Sequence, residues 1–588
     1  MKDSFDSLVD LWERSTERFS KRPYLGTKTA SGFSWITYEE ARQQVDTFRA
    51  GLRQLGVREG DRVALISNNR VEWAVAAFAT LTLGACLVPM YEAQASSEWT
   101  FILQDSGAKV VLTATTTIYE TVKTAQTSIP TLERVVCFAL PESDKNSYKA
   151  ALDAGRAQPT PSIHPTAAQP AAYLYTSGTT GMPKGVVLTH GNLISNLNAF
   201  RVLFPIDEND RSLAFLPWSH AFGLNCELNM LTSAGCSLAL NDEVPNLIGN
   251  LALVSPTILI AVPRIFNRIY DGVNKQIEDK PAPIRALFHH AIKAATRRSR
   301  GETLGTRDNL ALLLADKLIF KKIRGRFGGR LRFAVVGSAA LSKEVAEFVD
   351  ALGIQVYEGY GLTETSPVIA VNYPGHRKFG SVGLPLSNVR VEIDKAETQD
   401  PENGEIVSYG PSMMRSYHNR PDETARTLSA SGGLRTGDMG RIDSDGYLYI
   451  TGRIKEQYKL ENGKYVVPSQ LEEHLKLSPF IINAMLYGDN KPHNVALIVP
   501  DADAVKKWAG QHGRSVNDIE QDPEVHALIK KELDRLTEDF KSYERPKRFA
   551  IVSEDFTVEN GLLGMSLKLK RQKALEKYKS RIDALYRE

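Results

Sequence analysis

No stretch of the chain approaches the ~18 consecutive apolar residues that a membrane-spanning helix needs, so none is expected. Cysteine is scarce. Cys86, Cys137, Cys226 and Cys236 are scattered with neither disulfide nor metal spacing, which points to a reducing, cytoplasmic setting. An excess of one charge is also missing. Lys and Arg number 72 against 69 Asp and Glu, a net charge of +3, so nothing favours nucleic acid as a main partner. The start, Met1-Lys2-Asp3-Ser4-Phe5-Asp6, lacks an apolar h-region, and no signal peptide is expected. No repeat of fixed period is evident. What is present is ordinary for a globular chain: 42% hydrophobic and 24% charged residues. At 588 residues the chain is too long for one core, and length suggests roughly three or four domains or subdomains.

Short apolar runs alternate with helical patterns over the first 140 residues. Arg62–Ile66, Cys86–Met90, Lys109–Thr113 and Arg134–Phe138 read as buried strands, and Val71–Leu83 as a helix apolar almost all round. Thr37 and Glu40 have capping-box spacing and open a helix through Leu55. The pattern indicates a mostly parallel α/β sheet covered on both faces. Residues 140–170 read as a surface connection. Residues 274–330 read as a basic helical insertion carrying Arg297-Arg298-Ser299-Arg300, either a solvated face or a membrane-surface or partner contact. From Gly380 short strands and turns suggest a small antiparallel unit, closed by Asp438 after a strand and by Arg453. Ile454-Lys455-Glu456 reads as a hinge to a small C-terminal domain with helices near 469–476 and 523–541 and a basic terminal helix. The expected fold is therefore α/β: a large N-terminal domain (1–453) of α/β subdomains with a small antiparallel β unit, plus a small mobile C-terminal α+β domain (454–588).

Two clusters carry chemistry. The first is TSGTTGMPKG at 176–185, between two strand-like runs. Gly178, Gly181 and Gly185 permit positive φ and close approach, Thr176, Ser177, Thr179 and Thr180 supply hydroxyls, and Lys184 supplies a charge. That composition suits phosphate, although the spacing is not that of the Walker loop. The second is EGYGLTET at 358–365, where Tyr360 can stack on a base and Glu364 can hold a hard cation. His220 lies between aromatics at a strand end, where α/β sheets bind ligands.

These clusters, with LPWSHAFG at 216–223, RTGD at 435–438, GRIKE at 452–456 and a terminal Lys568-x-x-Arg571, occur in the order of one family. The chain resembles the adenylate-forming superfamily of acyl-CoA synthetases, luciferases and peptide-synthetase adenylation domains. It looks most like long-chain fatty acyl-CoA synthetases. The resemblance implies a fatty acid, ATP and coenzyme A as substrates, with Mg²⁺. A carboxylate attacks the α-phosphorus of ATP to give acyl-AMP and pyrophosphate, and a thiol then displaces AMP.

By resemblance, Lys568 bridges carboxylate and α-phosphate, the 176–184 loop holds the β- and γ-phosphates, and Thr176 and Glu364 bind Mg²⁺. Gly337, Ser338, Glu358, Gly359 and Tyr360 line the adenine pocket. Thr363 touches the α-phosphate, Asp438 and Arg453 the ribose, and His220 lies near the reacting carboxylate. Lys455 sits at the pivot, and Lys459 and Tyr465 contact nucleotide or coenzyme A. Gly564-Met565-Ser566 departs from the Thr-Pro-Thr-like step of many long-chain relatives, and Leu224 occupies the region where some place a tryptophan gate. The alternatives are an acyl–acyl carrier protein synthetase, an enzyme that stops at acyl-AMP, and an inactive ligand-binding homologue. Basic patches at 297–300 and 568–581 would suit an acidic carrier protein, coenzyme A phosphates or anionic lipid, so peripheral membrane contact stays open.

Overall fold

The computed structural model of the chain describes residues 4–176, 182–396, 402–557, 560–564 and 569–587. Its largest sheet has seven strands. Cys86–Met90, Arg62–Ile66, Val110–Thr113 and Arg134–Cys137 run parallel, as continuous apolar strands between helical layers should. Pro170–Thr176 joins this set in parallel beside Cys86–Met90, and Lys184–Thr189 and Ser416–Tyr417 follow antiparallel. A second sheet places Ile258–Ala261, Phe333–Val336 and Gln355–Gly361 in parallel, then adds two antiparallel strands. The helix Val71–Thr82 buries all but its first turn. Near its start Trp73 meets Trp218 edge-on at 5.3 Å, which ties this helix to the His220 segment.

The capping box forms as expected: Glu40 N–H donates to Thr37 Oγ1 at 3.2 Å and Thr37 N–H to Glu40 Oε2 at 2.7 Å. The helix it opens, Tyr38–Gln54, lies against a second helix, Tyr148–Ala157. This corrects the surface connection expected over 140–170. The contact combines an apolar stripe, Tyr148, Ala151 and Leu152, whose Tyr148 ring lies 4.7 Å from Phe48, with a close approach at two glycines. A Cβ on Gly155 would stand 2.0 Å from Thr47 O, and one on Gly51 2.2 Å from Ala151 O. Residues 148, 151, 152 and 155 stand at helical spacing, a signal that the connection-like composition around them masks.

The antiparallel unit is a four-stranded sheet of Arg390–Asp394, Gly404–Tyr409, Leu434–Ile442 and Leu448–Arg453. Beyond it Ile481–Tyr487, Val495–Pro500 and Arg548–Ile551 form a three-stranded sheet with helices Pro468–Leu475, Ala502–Gln511, Pro523–Leu536 and Arg571–Ala584. The helix at 502–511 was not expected. It buries only Val505 and Ala509, and its start is fixed by Asp501, whose carboxylate accepts Ala504 N–H at 2.9 Å. Among the described residues no helix is long and apolar enough to cross a membrane.

Candidate active site

Three distant stretches meet through one edge strand. Pro170–Thr176 and Lys184–Thr189 pair antiparallel with Thr176 opposite Lys184, so the glycine-rich loop joins two strands, as expected. Ser177, Gly178, Thr179, Thr180 and Gly181 lie outside the described residues, as does Lys568. Ser416–Tyr417 adds to the outer edge of Lys184–Thr189, and His418 N–H donates to Gly185 O at 2.7 Å. At the other end of this segment Met414 N–H donates to Glu364 O at 2.7 Å. Residues 414–418 therefore fasten the EGYGLTET stretch to the phosphate-type loop.

Tyr417 stands at the junction. Its hydroxyl donates to Glu364 Oε1 at 2.7 Å, and its ring centroid lies 4.5 Å from Lys184 Nζ. Burial and the Glu364 charge push the phenol well up, so it stays a donor. Lys184 also pairs with Glu423 Oε2 at 2.7 Å. The hydrogen bond from Lys184 holds the Glu423 carboxyl below its ordinary range. The sequence reading gave Lys184 a phosphate and no protein partner; the structure supplies a carboxylate. It also missed Tyr417 and Glu423. A signal was there: Pro421-Asp422-Glu423 is a helix start, with proline in the first turn and acids behind it, and a helix forms at Pro421–Thr427.

The second motif is built where two parallel strands end. Val336 pairs with Glu358, so Gly337 and Ser338 lie beside Gly359 and Tyr360. Ser338 adopts φ 71°. Glu358 accepts Leu341 N–H at 3.1 Å, and burial pushes its carboxyl up to about 8, so it is mostly neutral near pH 7. Tyr360 donates its hydroxyl to Asp438 Oδ2 at 2.7 Å, and Arg453 Nε meets Asp438 Oδ1 at 3.1 Å. Tyr360 was expected to act through its ring; here its hydroxyl is fixed as well. Burial, then the Asp438 charge, pushes that phenol up. Asp438 does not follow a strand. It lies within Leu434–Ile442, directly opposite Arg453. Gly437 takes φ 71° inside the strand and turns the chain locally.

The motif glycines act mainly by what they lack. A Cβ on Gly361 would stand 1.7 Å from Pro367 O, one on Gly359 3.2 Å from Val371 Cγ2, and one on Gly185 2.9 Å from Tyr175 Cζ. Gly185 was read as a source of positive φ. It instead makes room for the Tyr175 ring, whose hydroxyl donates to Asp105 Oδ2 at 2.7 Å.

The His220 segment is held from both sides. Asn69 Oδ1 accepts Trp218 N–H at 2.9 Å, and Asn69 Nδ2 donates to Leu216 O at 2.7 Å. Trp218 Nε1 donates to Glu227 Oε2 at 3.0 Å; Glu227 is fully buried, and that burial pushes its carboxyl well up. His220 Nδ1 accepts Phe222 N–H at 3.2 Å. The helix that follows, Phe222–Asn229, has wide π-type turns that include Leu224. From it Asn225 Nδ2 reaches Ser366 O at 2.7 Å, two residues past Glu364, and Thr363 is buried on that same loop. A Cβ on Gly337 would approach Phe222 Cζ at 3.2 Å. The His220, Glu364 and Gly337 stretches thus share one neighbourhood.

Lys455 lies on the single turn Ile454–Glu456, directly after Arg453. Lys459 and Tyr465 face each other across a two-stranded pair, with Lys459 Nζ 5.4 Å from the Tyr465 ring centroid. Arg571 forms a fork on Glu472 at 2.8 and 2.7 Å and donates to Leu486 O at 2.7 Å. It anchors the tail three residues after Lys568.

Comparison with known proteins agrees with this geometry. The model of the AMP-binding enzyme family matches residues 12–418, and that of the AMP-binding enzyme C-terminal domain matches residues 455–588. The chain is 33% identical over 567 residues to the long-chain-fatty-acid–CoA ligase FadD15 of Mycobacterium bovis, covering 94% of this chain and 92% of that protein. It is 31% identical to the peroxisomal long chain acyl-CoA synthetase 7 of Arabidopsis thaliana, covering 99% and 86%. Among solved structures, the adenylation domain of a carboxylate reductase from Mycobacterium chelonae superposes with a TM-score of 0.81 at 24% identity, covering 99% and 91%. The anthranilate CoA ligase AuaEII, in complex with anthranoyl-AMP, superposes with a TM-score of 0.75 at 21% identity, covering 99% and 98%. A family model that spans most of the chain, and a site in which its separated motifs meet, lead to one conclusion: the chain belongs to the AMP-binding enzyme family.

Proposed function

We infer that the chain is a long-chain fatty acid–CoA ligase, which activates a fatty acid with ATP as acyl-AMP and transfers the acyl group to coenzyme A, releasing AMP and pyrophosphate. The observation that carries this is the near-full-length match to curated long-chain ligases, with neither domain missing. A carboxylate is a poor electrophile, and adenylation supplies a leaving group. The difficulty is that two anions must meet, so positive charge has to be in place beforehand.

In this reading Lys568 bridges the carboxylate and the α-phosphate. The 176–184 loop takes the β- and γ-phosphates, for which Lys184 must leave Glu423. Glu358, Gly359 and Tyr360 with Gly337 and Ser338 flank the base, Thr363 contacts the α-phosphate, and Asp438 and Arg453 take the ribose. His220 faces the acid. Lys455 is the pivot on which the C-terminal domain (454–588) rotates against 1–453 between half-reactions, and Lys459 and Tyr465 move toward coenzyme A. Glu364 and Thr176 suit Mg²⁺. They offer one carboxylate and one hydroxyl, the hard and sparse donor set of a magnesium that keeps water and phosphate ligands. When bound, that ion neutralises phosphate charge.

Coenzyme A is the acceptor we assign. Four arginines of the basic clusters that would suit a carrier protein are engaged internally: Arg297 with Glu302 and Asp308, Arg300 with Glu347, Arg571 with Glu472, Arg581 with Glu520. All four cysteines are free and buried, in keeping with a cytoplasmic setting. The test separates the half-reactions. Lys568→Ala lowers ATP–pyrophosphate exchange with a fatty acid by about two orders of magnitude or more, while thioester formation from preformed acyl-AMP falls much less. Equal losses in both would refute the assigned role.

A further inference from the structure

The basic insertion holds a feature that the nucleotide site does not use. Thr306–Ala315, Asp316–Phe320 and Lys321–Gly325 form one continuous helical rod. Its inner side, Leu312, Ala315, Ile319, Phe320 and Ile323, is buried, and Phe320 meets Phe288 edge-on at 6.1 Å. That side already satisfies the need of an amphipathic helix to cover one apolar stripe. The outer side carries a second stripe. Leu310, Leu313, Leu314 and Leu318 are 58%, 70%, 45% and 53% exposed. They fall at helical spacing on one face and leave a few hundred Å² of apolar surface in water, the size at which such patches mark contacts.

The charges on this rod are sorted. Its two acids are engaged at its edges: Asp308 with Arg297 at 3.0 Å, and Asp316 with Arg324 at 2.7 Å. Lys317 lies between Leu314 and Leu318, and Lys321 and Lys322 follow within a turn, all three exposed. The arginines 297 and 300, which the sequence singled out, are by contrast paired with Glu302, Asp308 and Glu347. Arg298 of that cluster stays exposed, but Lys317, Lys321 and Lys322 are the cations set beside the leucines.

We propose that the leucine–lysine face of residues 310–322 is a docking surface for an anionic lipid bilayer. Leucines that enter the acyl boundary, beside lysines that meet headgroup phosphates, are the composition of a helix lying in an interface. A second copy of the chain fits less well. A two-fold contact would set the three lysines of one face near those of the other, and the centre of a protein interface is depleted of charge. The proposal extends the ligase reading by saying where a sparingly soluble acid is collected. Its test does not depend on turnover, so the two can fail separately.

The full chain is floated on a density gradient with phosphatidylcholine vesicles, with and without phosphatidylglycerol. Wild type binds the anionic vesicles and releases them as salt rises. The variant Leu310→Ser, Leu313→Ser, Leu314→Ser, Leu318→Ser loses binding, and Lys317→Gln, Lys321→Gln, Lys322→Gln lowers the partition coefficient about tenfold or more. Both variants alter exposed side chains only, and melting curves like wild type verify the fold. The proposal is overturned if wild type ignores phosphatidylglycerol, or if both variants bind as wild type does. It is equally overturned if sedimentation shows a dimer that the serine variant dissolves while vesicles are not bound.

Discussion

Replacing Tyr417 with phenylalanine removes one oxygen and leaves the ring. In the structure that oxygen donates to Glu364 Oε1 at 2.7 Å, while the ring carries Lys184 Nζ at 4.5 Å from its centroid. A hydrogen bond to a charged group contributes about 1.5–3 kcal/mol. Glu364 keeps some solvent contact, so water replaces part of it and the lower half of that range applies. About 1.5–2 kcal/mol corresponds to a loss of roughly 10- to 30-fold in kcat/KM for ATP–pyrophosphate exchange. The loss should be largest at low magnesium, because a carboxylate that is no longer oriented must be ordered by the ion itself. Tyr417→Leu removes ring and hydroxyl together and adds a several-fold rise in KM for ATP through the lost cation–π contact. The assay is exchange measured across a magnesium titration, with melting curves as a control for folding. Exchange within twofold of wild type at every magnesium concentration would refute the argument that Tyr417 positions Glu364.

Three further outcomes are expected. Arg571→Ala leaves Glu472 buried without its partner and costs about 3–5 kcal/mol, so the C-terminal domain melts early in calorimetry and exchange falls with it. Gly361→Ala drives a Cβ into Pro367 O, costs roughly 2–3 kcal/mol, and lowers the melting temperature together with nucleotide affinity. His190, 1% exposed, accepts Leu8 N–H at 3.3 Å, and burial lowers its pKa to about 4. Between that value and its ordinary 6.5 the unfolded chain binds a proton that the folded one does not. Stability therefore falls as pH drops from about 6.5 to 4, by about 3 kcal/mol in total. His190→Gln should flatten that slope in denaturant titrations; an unchanged slope would remove the histidine as its source.

The capping box at Thr37, the parallel strands and the hairpin around the glycine-rich loop were legible because each is a local rule: a cap, an apolar run, a turn between two runs. The helix Tyr148–Ala157 was passed over although Tyr148, Ala151, Leu152 and Gly155 stand at helical spacing, because it is short and the proline, serine and charge on either side of it read as a connection. Motif residues announced themselves by type, yet their partners did not. Nothing in the sequence says that Tyr417 meets Glu364, or that Lys184 rests on Glu423, because these are pairings across 53 and 239 residues of chain. The leucines at 310–318 were visible as letters, but periodicity alone cannot say which of two apolar stripes a helix buries.

Asp438 has two oxygens, and both are already taken: one by Tyr360, the other by Arg453, two residues before the match to the C-terminal family model begins. On the proposed reading, a sugar diol arriving there competes with groups that hold the protein to itself. Displacing Arg453 would slacken the tether at the root of the smaller lobe, whereas displacing Tyr360 would loosen the wall beside the base. Occupancy and swivel would then be wired through a single acid, and the order in which its guests leave would set when the lobes are free to turn.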